Sequence, residues 1–246
     1  MQNTQVGRSG PEGVHTVTRV VVVSGSGRYA DPWHPFEETS AALASIARGL
    51  GWDAEVRPSE PDALLDLSDV DVVVVNSGGG DPAAPPEPDD AWAAAHASLG
   101  RFAAAGGGLV GVHTASNTFP DWPGWPDLLG GRWVRGESMH PERSIATFEA
   151  APGMADHPLL AGIEAPAGLP ALAGVPCVTC YDERYSRLTL GRESTPVLRH
   201  ELGESYQTSA WLHGRVVYDG LGHDARSYES ASRRRFVANA LRFVAA

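Results

Sequence analysis

Lysine is absent from this sequence of 246 residues, and its 19 cationic side chains are all arginine. Schiff-base enzymes, pyridoxal-phosphate enzymes and P-loop phosphate sites all depend on a lysine amine. The sequence therefore excludes these three kinds of chemistry. Nine histidines remain as the side chains best suited to transfer protons or bind metal ions near neutral pH.

Long basic runs and long apolar runs are also missing. Because the formal net charge is −11, we expect no binding to nucleic acid or to an anionic membrane through bulk positive charge. The apolar runs, such as residues 20–23, have the length of a strand and not of a membrane-spanning helix. Residues 1–18 are polar and lack the apolar segment of a secretory signal, so we predict a flexible N-terminal tail and a cytoplasmic location.

Only two cysteines occur, Cys177 and Cys180, and they form a C-x-x-C sequence in a segment typical of a strand. Residues three apart on a strand point to opposite faces. We therefore expect two separate, reduced thiols that share neither a disulfide nor a metal ion. A G-x-S-x-G sequence is absent as well, so nothing supports a serine hydrolase of that type.

One glycine-rich segment, "GSGRYA" at residues 25–30, has the spacing G-x-G-x-x-A after a predicted strand. A dinucleotide site needs the third small residue within the first turn of a helix. Here Pro32 and Pro35 follow at once and disfavour that helix. We interpret the segment as a mobile loop that contacts the substrate.

Strands and helices alternate in the first half of the chain. Continuous β-branched runs are typical of buried parallel strands, and apolar residues at helical spacing lie between them. The pattern predicts strands near residues 19–24, 53–56, 70–76 and 109–113, helices at 36–50 and 89–105, and a Pro-rich loop at 82–88. This alternation predicts an α/β fold with a doubly wound parallel sheet.

The second half of the chain, after His140, contains shorter predicted strands with little helix between them. It ends in a predicted amphipathic helix at residues 227–244. Neither a linker nor an internal repeat divides the sequence. We therefore predict one domain over residues 19–246, with a β-rich C-terminal half.

Candidate functional residues lie where predicted strands end, since ligands of a doubly wound sheet bind beyond those ends. The sequence "AGGGLVGVHTASNTF" at residues 105–119 places His113 at the end of a predicted central strand. The catalytic candidates are the histidines and the carboxylate at such corners: His113, His140, Glu183 and His223. The substrate-binding candidates are other polar and aromatic side chains there: Trp33, His34, Asn76, Ser116, Trp122, Tyr185 and Tyr228.

Several stretches of the sequence together resemble the ThuA-like family of trehalose-utilisation proteins. They are "GGGLVGVHTASNTFPDWPGWPDLLGGRW", "HPE", "DHPLLAGI", "DERY" and "GRVVYDGLGHDARSY", in the same order from about residue 19 to the C-terminus. The resemblance implies a flavodoxin-like, class I glutamine amidotransferase-like fold and a role in carbohydrate metabolism. In such amidotransferases a cysteine nucleophile follows the strand that here ends in His113, so the resemblance also implies that glutaminase activity is lost.

Three functions remain open on this basis, each with a small-molecule carbohydrate as partner and each compatible with a homo-oligomer. The first is a hydrolase, lyase or isomerase that acts on a sugar, a 3-keto sugar or a glycoside by histidine and carboxylate acid–base chemistry. The second is a metal-dependent hydrolase or isomerase. Its ligands for Zn²⁺ or a similar divalent ion would be His34, His113, His140 and His223, with Glu142 or Glu183. The third is a non-catalytic sugar-binding or regulatory protein.

Overall fold

The computed structural model describes residues 17–81, 83–84, 86–87 and 89–246. Residues 1–16 of the predicted tail lie outside the described residues, as do Pro82, Pro85 and Pro88 of the predicted Pro-rich loop. The strands are β1 (Arg19–Ser24), β2 (Asp53–Pro58), β3 (Val72–Asn76), β4 (Gly108–Val112), β5 (Gly131–Arg132), β6 (Ser144–Ala150), β7 (Cys177–Asp182), β8 (Thr189–Leu190), β9 (Thr195–Leu202), β10 (Ser205–His213) and β11 (Val216–Asp219). The helices are α1 (Phe36–Gly49), α2 (Asp62–Leu65), α3 (Asp90–Ala104), α4 (Trp125–Leu129) and α5 (Ala231–Ala245).

A mixed sheet of nine strands lies at the centre of the molecule, in the order β2-β1-β3-β4-β11-β10-β9-β6-β7. The first five strands of this order are parallel to one another. The remaining strands pair antiparallel, beginning with β10 against β11. The predicted parallel sheet and the β-rich C-terminal half are both confirmed. The C-terminal half also supplies β11 to the parallel part of the sheet.

Helices cover both faces of the parallel half, and the alternating side chains of β1 show how. Val20 and Val22 are fully buried and pack in a core with α1 and α5. Val21 and Val23, equally buried, point to the other face and pack with α2 and α3. A strand buried on both faces needs a continuous apolar run, which is the pattern the sequence shows here. None of the described helices is long and apolar enough to cross a membrane.

The C-terminal helical segment begins differently from the prediction of one helix at residues 227–244. A 3-10 turn occupies Ala225–Glu229, and α5 starts only at Ala231. Between them Ser230 has an extended backbone, and its hydroxyl accepts a hydrogen bond from the backbone N–H of Arg233. A serine that caps a helix in this way must lie outside it, so a single continuous helix was the wrong prediction.

The two cysteines are free and buried in β7, which confirms that they form no disulfide. Burial, together with the charge of Glu149, raises the pKa of Cys177 to about 11. Burial and the nearby Asp182 likewise raise the pKa of Cys180. Both thiols are therefore protonated near neutral pH and poor nucleophiles.

One edge of the sheet collects loops from both halves of the chain. The parallel strands β1, β3, β4 and β11 all end at this edge. Strand β7 ends there too, because the antiparallel steps from β11 through β10, β9 and β6 to β7 reverse the chain direction an even number of times. The residues after β1, β4, β7 and β11 therefore meet.

Candidate active site

His113 is the first residue after β4 and lies at the centre of the candidate site. Its φ is 49°, in the left-handed region that residues other than glycine rarely adopt. Its ring Nδ1 lies 2.9 Å from the carbonyl oxygen of Gly220, and its ring stacks on Tyr185 with the centroids 4.2 Å apart. His113 is only 1% exposed, because these neighbours enclose it.

Glu183 follows β7 and faces three histidine rings from different parts of the chain. One carboxylate oxygen, Oε2, lies 3.4 Å from Nε2 of His113. The other, Oε1, lies 3.1 Å from Nδ1 of His223 and 3.6 Å from Nδ1 of His140. The structure thus brings together all four residues that the sequence suggested as catalytic.

The ionisation of His113 and Glu183 is set by their contact. Burial lowers the pKa of His113, but the contact with Glu183 and the charges of Asp182 and Glu183 outweigh it, so the pKa lies above its usual value. Burial raises the pKa of Glu183, but the contacts with His113 and His223 outweigh it and hold the pKa well below the usual range. The carboxylate is therefore ionised near neutral pH.

His34, on the loop after β1, is the third ring close to His113. The ring centroids of His34 and His113 are 5.1 Å apart, and those of His34 and His223 are 4.6 Å apart. The Nδ1 atom of His34 lies 2.7 Å from a carboxylate oxygen of Asp31, which also accepts the backbone N–H of His34. Burial lowers the pKa of His34 despite Asp31, so the ring is neutral near pH 7.

A short loop after β11, residues 220–223, carries His223; we call it the site loop. Asp182 is fully buried and accepts hydrogen bonds from the backbone N–H groups of Gly222 at 2.8 Å and of His223 at 3.2 Å. The same carboxylate accepts the backbone N–H of Glu183 at 2.9 Å. Asp182 therefore fixes two of the site residues relative to each other.

A cavity of about 860 Å³ opens above these groups. Three of the clustered side chains, His34, Glu183 and His223, line it, and so does His140, whose side chain is 39% exposed. Aromatic and cationic side chains form the walls: Trp33, Trp133, Tyr185, Arg135 and Arg143. Burial and Glu183 raise the pKa of Tyr185 well above its usual value, so this phenol is neutral. Aromatic walls beside polar groups suit the apolar faces of a sugar ring.

The structure does not bring four of the suggested substrate-binding residues to this cavity. Trp122 stacks on His96, with the ring centroids 5.0 Å apart, and lines a separate depression. The other three are buried among protein groups, which explains why they do not reach it: Asn76 donates to Thr39 and Ser40, Ser116 donates to the carbonyl of His113, and Tyr228 lies beside Arg233. The other three, Trp33, His34 and Tyr185, do line the cavity.

Some residues of the site were not found from the sequence. Asp31 had a signal, since an acidic residue three positions before His34 can reach its ring. Asp182 accepts backbone N–H groups from the loop after β11, a pairing between distant segments that no local sequence pattern encodes. Trp133 belongs to the tryptophan-rich segment at residues 119–133, which was a signal for an aromatic wall, whereas Arg233 carried no signal. Arg233 lies on α5, is fully buried, and donates to a carbonyl of the site loop at 2.9 Å.

Solved structures place this architecture in a known class of proteins. The fold is similar to that of class I glutamine amidotransferase-like α/β proteins. A glutamine amidotransferase from Thermotoga maritima has a TM-score of 0.50 at 14% identity, over 84% of this chain and 76% of that chain.

The particular family follows from the sequence. The chain belongs to the ThuA family, described as trehalose utilisation, whose model matches residues 19–244. A ThuA-like protein from Parabacteroides merdae has a TM-score of 0.70 at 16% identity, over 94% of this chain and 90% of that chain. One from Bacteroides uniformis has a TM-score of 0.69 at 14% identity, over 97% and 95%. No curated protein matches the sequence.

Proposed function

We propose that this protein is an enzyme of carbohydrate metabolism. Its substrate is a sugar, a 3-keto sugar or a glycoside, and its reaction is driven by proton transfer at the histidine and carboxylate cluster. The family description, trehalose utilisation, supports the substrate class. The aromatic walls of the cavity, Trp33 and Trp133 among them, are consistent with a sugar ring as ligand.

One observation carries the proposal: Glu183 lies within 3.6 Å of the rings of His113, His140 and His223 at the floor of the cavity. Acid–base enzymes hold several proton-transferring groups within reach of one bound molecule. A structural ion pair needs one histidine and no cavity. Three histidines around one carboxylate, reached from three separate segments, are better explained by chemistry on a ligand.

His140 has the most exposed side chain of this cluster, and it faces the cavity. Its Nδ1 lies 3.0 Å from the carbonyl oxygen of Pro141. A carbonyl oxygen only accepts, so in the neutral ring Nδ1 carries the hydrogen and Nε2 is the basic atom. We assign to His140 the removal of a proton from the substrate.

A 3-keto sugar gives this arrangement a concrete reaction. The ketone acidifies the C–H bond next to it, so a base removes that proton and the electron pair forms a carbon–carbon double bond. The bond to the glycosidic oxygen breaks, and a second group of the cluster protonates the departing oxygen. The step needs neither a lysine nor a cysteine.

Glutaminase activity is not part of the proposal. His113 occupies the corner at which an amidotransferase of this class has its cysteine. Both cysteines of the chain, Cys177 and Cys180, are buried in β7 with raised pKa values. Neither cysteine can therefore act as the nucleophile that forms a thioester with glutamine.

The test is turnover of trehalose and of its 3-keto derivative, with glutamine as a negative substrate. We expect turnover of a sugar and no release of ammonia. His140→Ala should lower kcat about 100-fold with little change in KM, because general acid–base groups contribute about 10²–10⁴-fold. The matched control is His157→Ala, a histidine outside the cavity, which should react as the wild type does. Sugar binding without turnover would contradict the enzyme and support a sugar-binding protein instead.

A further inference from the structure

Four ligand-type atoms of the site are buried and have no hydrogen-bond partner. They are Nε2 of His34, Nε2 of His113, Oε2 of Glu183 and Nδ1 of His223. These four residues can each offer one ligand atom such that all four ligand atoms lie within 4.8 Å of one another. Buried polar atoms are nearly always paired, so an unpaired group needs an explanation, and four at one point need a common one.

The outer nitrogen of two of these rings is already held by an acceptor. Nδ1 of His34 lies 2.7 Å from the carboxylate of Asp31, and Nδ1 of His113 lies 2.9 Å from the carbonyl oxygen of Gly220. Both acceptors require a hydrogen on Nδ1, so in the neutral ring, the form that binds a metal, the lone pair is on Nε2, next to the other ligand atoms. Proteins orient metal-binding histidines in this manner, through a carboxylate or a backbone carbonyl on the second nitrogen.

The spacing of the atoms also fits a shared ion. The carboxylate of Glu183 lies 3.4 Å from His113 Nε2 and 3.1 Å from His223 Nδ1, without hydrogen-bond geometry at these two nitrogens. Two ligand atoms on one tetrahedral ion, with bonds of about 2.0–2.1 Å, are about 3.3 Å apart. A proton satisfies only one pair of atoms at a time, whereas an ion satisfies all four.

We propose that His34, His113, Glu183 and His223 bind one divalent transition-metal ion. Three imidazole nitrogens and one carboxylate oxygen match Zn²⁺ best among the common ions. Of the ligands suggested by the sequence, this set keeps the three other histidines and Glu183. It leaves out Glu142 and His140, whose Nδ1 contacts the carbonyl oxygen of Pro141.

The ion adds a metal to the site of the proposed function. Its role in turnover rests on that function, whereas its binding does not. Three of the four ligands line the cavity, so the ion lies at the cavity floor, where a water molecule or a substrate oxygen can add as a fifth ligand. A bound divalent ion polarises such an oxygen and lowers the pKa of a bound water. His113 and His223 are then ligands, and His140 remains free to move a proton.

The experiment is a metal titration without any substrate. The purified protein is stripped with a chelator, and Zn²⁺ is then added in competition with a chromophoric chelator. We expect one ion per chain. When Co²⁺ replaces Zn²⁺, we expect the intense visible absorption bands of Co²⁺ bound by four or five ligands, which hydrated Co²⁺ lacks. Glu183→Gln should weaken Zn²⁺ binding at least 100-fold. Asp31→Asn, which touches only the outer nitrogen of His34, should weaken it about 10–100-fold.

The controls are two histidine variants outside the proposed ligand set, His140→Ala and His157→Ala, which should bind Zn²⁺ as the wild type does. Equal Zn²⁺ affinity of the wild type and Glu183→Gln would overturn the site. If Glu183→Gln does not fold, the absorption spectrum of the wild-type protein with Co²⁺ is the deciding measurement. The lack of Co²⁺ bands in that spectrum would also overturn the site. Because no sugar is present, failure here leaves the proposed function standing. A metal-loaded protein that turns over no sugar contradicts the function and not the metal site.

Discussion

The conformation of the site loop depends on one glycine, Gly222, as well as on the side chains that hold the loop. Gly222 has a φ of 116°, which residues with a Cβ rarely adopt. A Cβ added there would lie 2.5 Å from the hydroxyl of Tyr228, so space is lacking as well. His223 is the next residue, and its position therefore depends on a glycine that makes no contact with any ligand.

Gly222→Ala should therefore lower stability by more than the roughly 1–2 kcal/mol that a left-handed residue usually costs, and should reduce Zn²⁺ affinity. The matched control is Gly214→Ala, where φ is 57° but nothing lies within 4 Å of the added Cβ. Chemical denaturation and the Zn²⁺ titration measure the two effects. A Gly222→Ala protein no less stable than Gly214→Ala would contradict the steric argument.

For single residues, the sequence predicts which of them lie at the sheet edge better than it predicts where their side chains point. His34, His113, Glu183 and His223 all end or follow strands, and the sheet edge brings them together. Asn76 and Ser116 follow strands as well, yet their side chains turn inward to protein partners. Position at a strand end does not determine the side to which a side chain points, because that depends on local φ and ψ and on neighbours from distant parts of the chain.

Among the elements, α5 links the C-terminal half to the site. Its Arg233 donates to the site loop, and its start is fixed by Ser230. The Ser230 hydroxyl caps the helix and donates to the carbonyl oxygen of Thr179 in β7 at 2.6 Å. This contact covers part of β7, the last strand of the sheet.

Ser230→Ala should lower the free energy of unfolding by about 1 kcal/mol, the usual cost of losing a helix cap. Ser230→Asn retains a capping oxygen and an N–H donor, so it should lose less. Urea denaturation of the three proteins measures the difference. Equal stability of Ser230→Ala and the wild type would show that the cap contributes nothing.

The existence of a strand was easier to predict than the identity of the strands that pair with it in the sheet. Apolar runs such as residues 20–23 and 72–75 are long enough to identify β1 and β3. The pairing of β4 with β11 joins residues more than one hundred positions apart. Such a pairing depends on which edges remain free after the rest has packed, and no local pattern encodes it. The break at Ser230 was missed because the apolar residues that predicted the helix begin only at Phe236, so they do not define where it starts.

On the scale of the whole molecule, the core keeps both thiols out of reach. With a pKa of about 11 for Cys177, only about one thiol in a thousand is ionised at pH 8. An aromatic disulfide reagent should therefore react with the native protein very slowly at pH 8. The rate should rise about tenfold per pH unit below pH 11, since the thiolate is the reactive form. In guanidinium chloride both thiols should react at once. Rapid reaction of one thiol in the native protein would contradict its burial.

Strand β11 lies between β4 and β10, although it is the last strand to be synthesised. While the ribosome is still making the segment before it, β4 has one partner, β3, and its other side is a row of unpaired backbone groups. The two halves of the sheet are then unjoined, and neither Glu183 nor His223 has met His113. We therefore expect a prematurely terminated chain to aggregate and to lack the histidine and carboxylate cluster, rather than to be a weaker version of the protein.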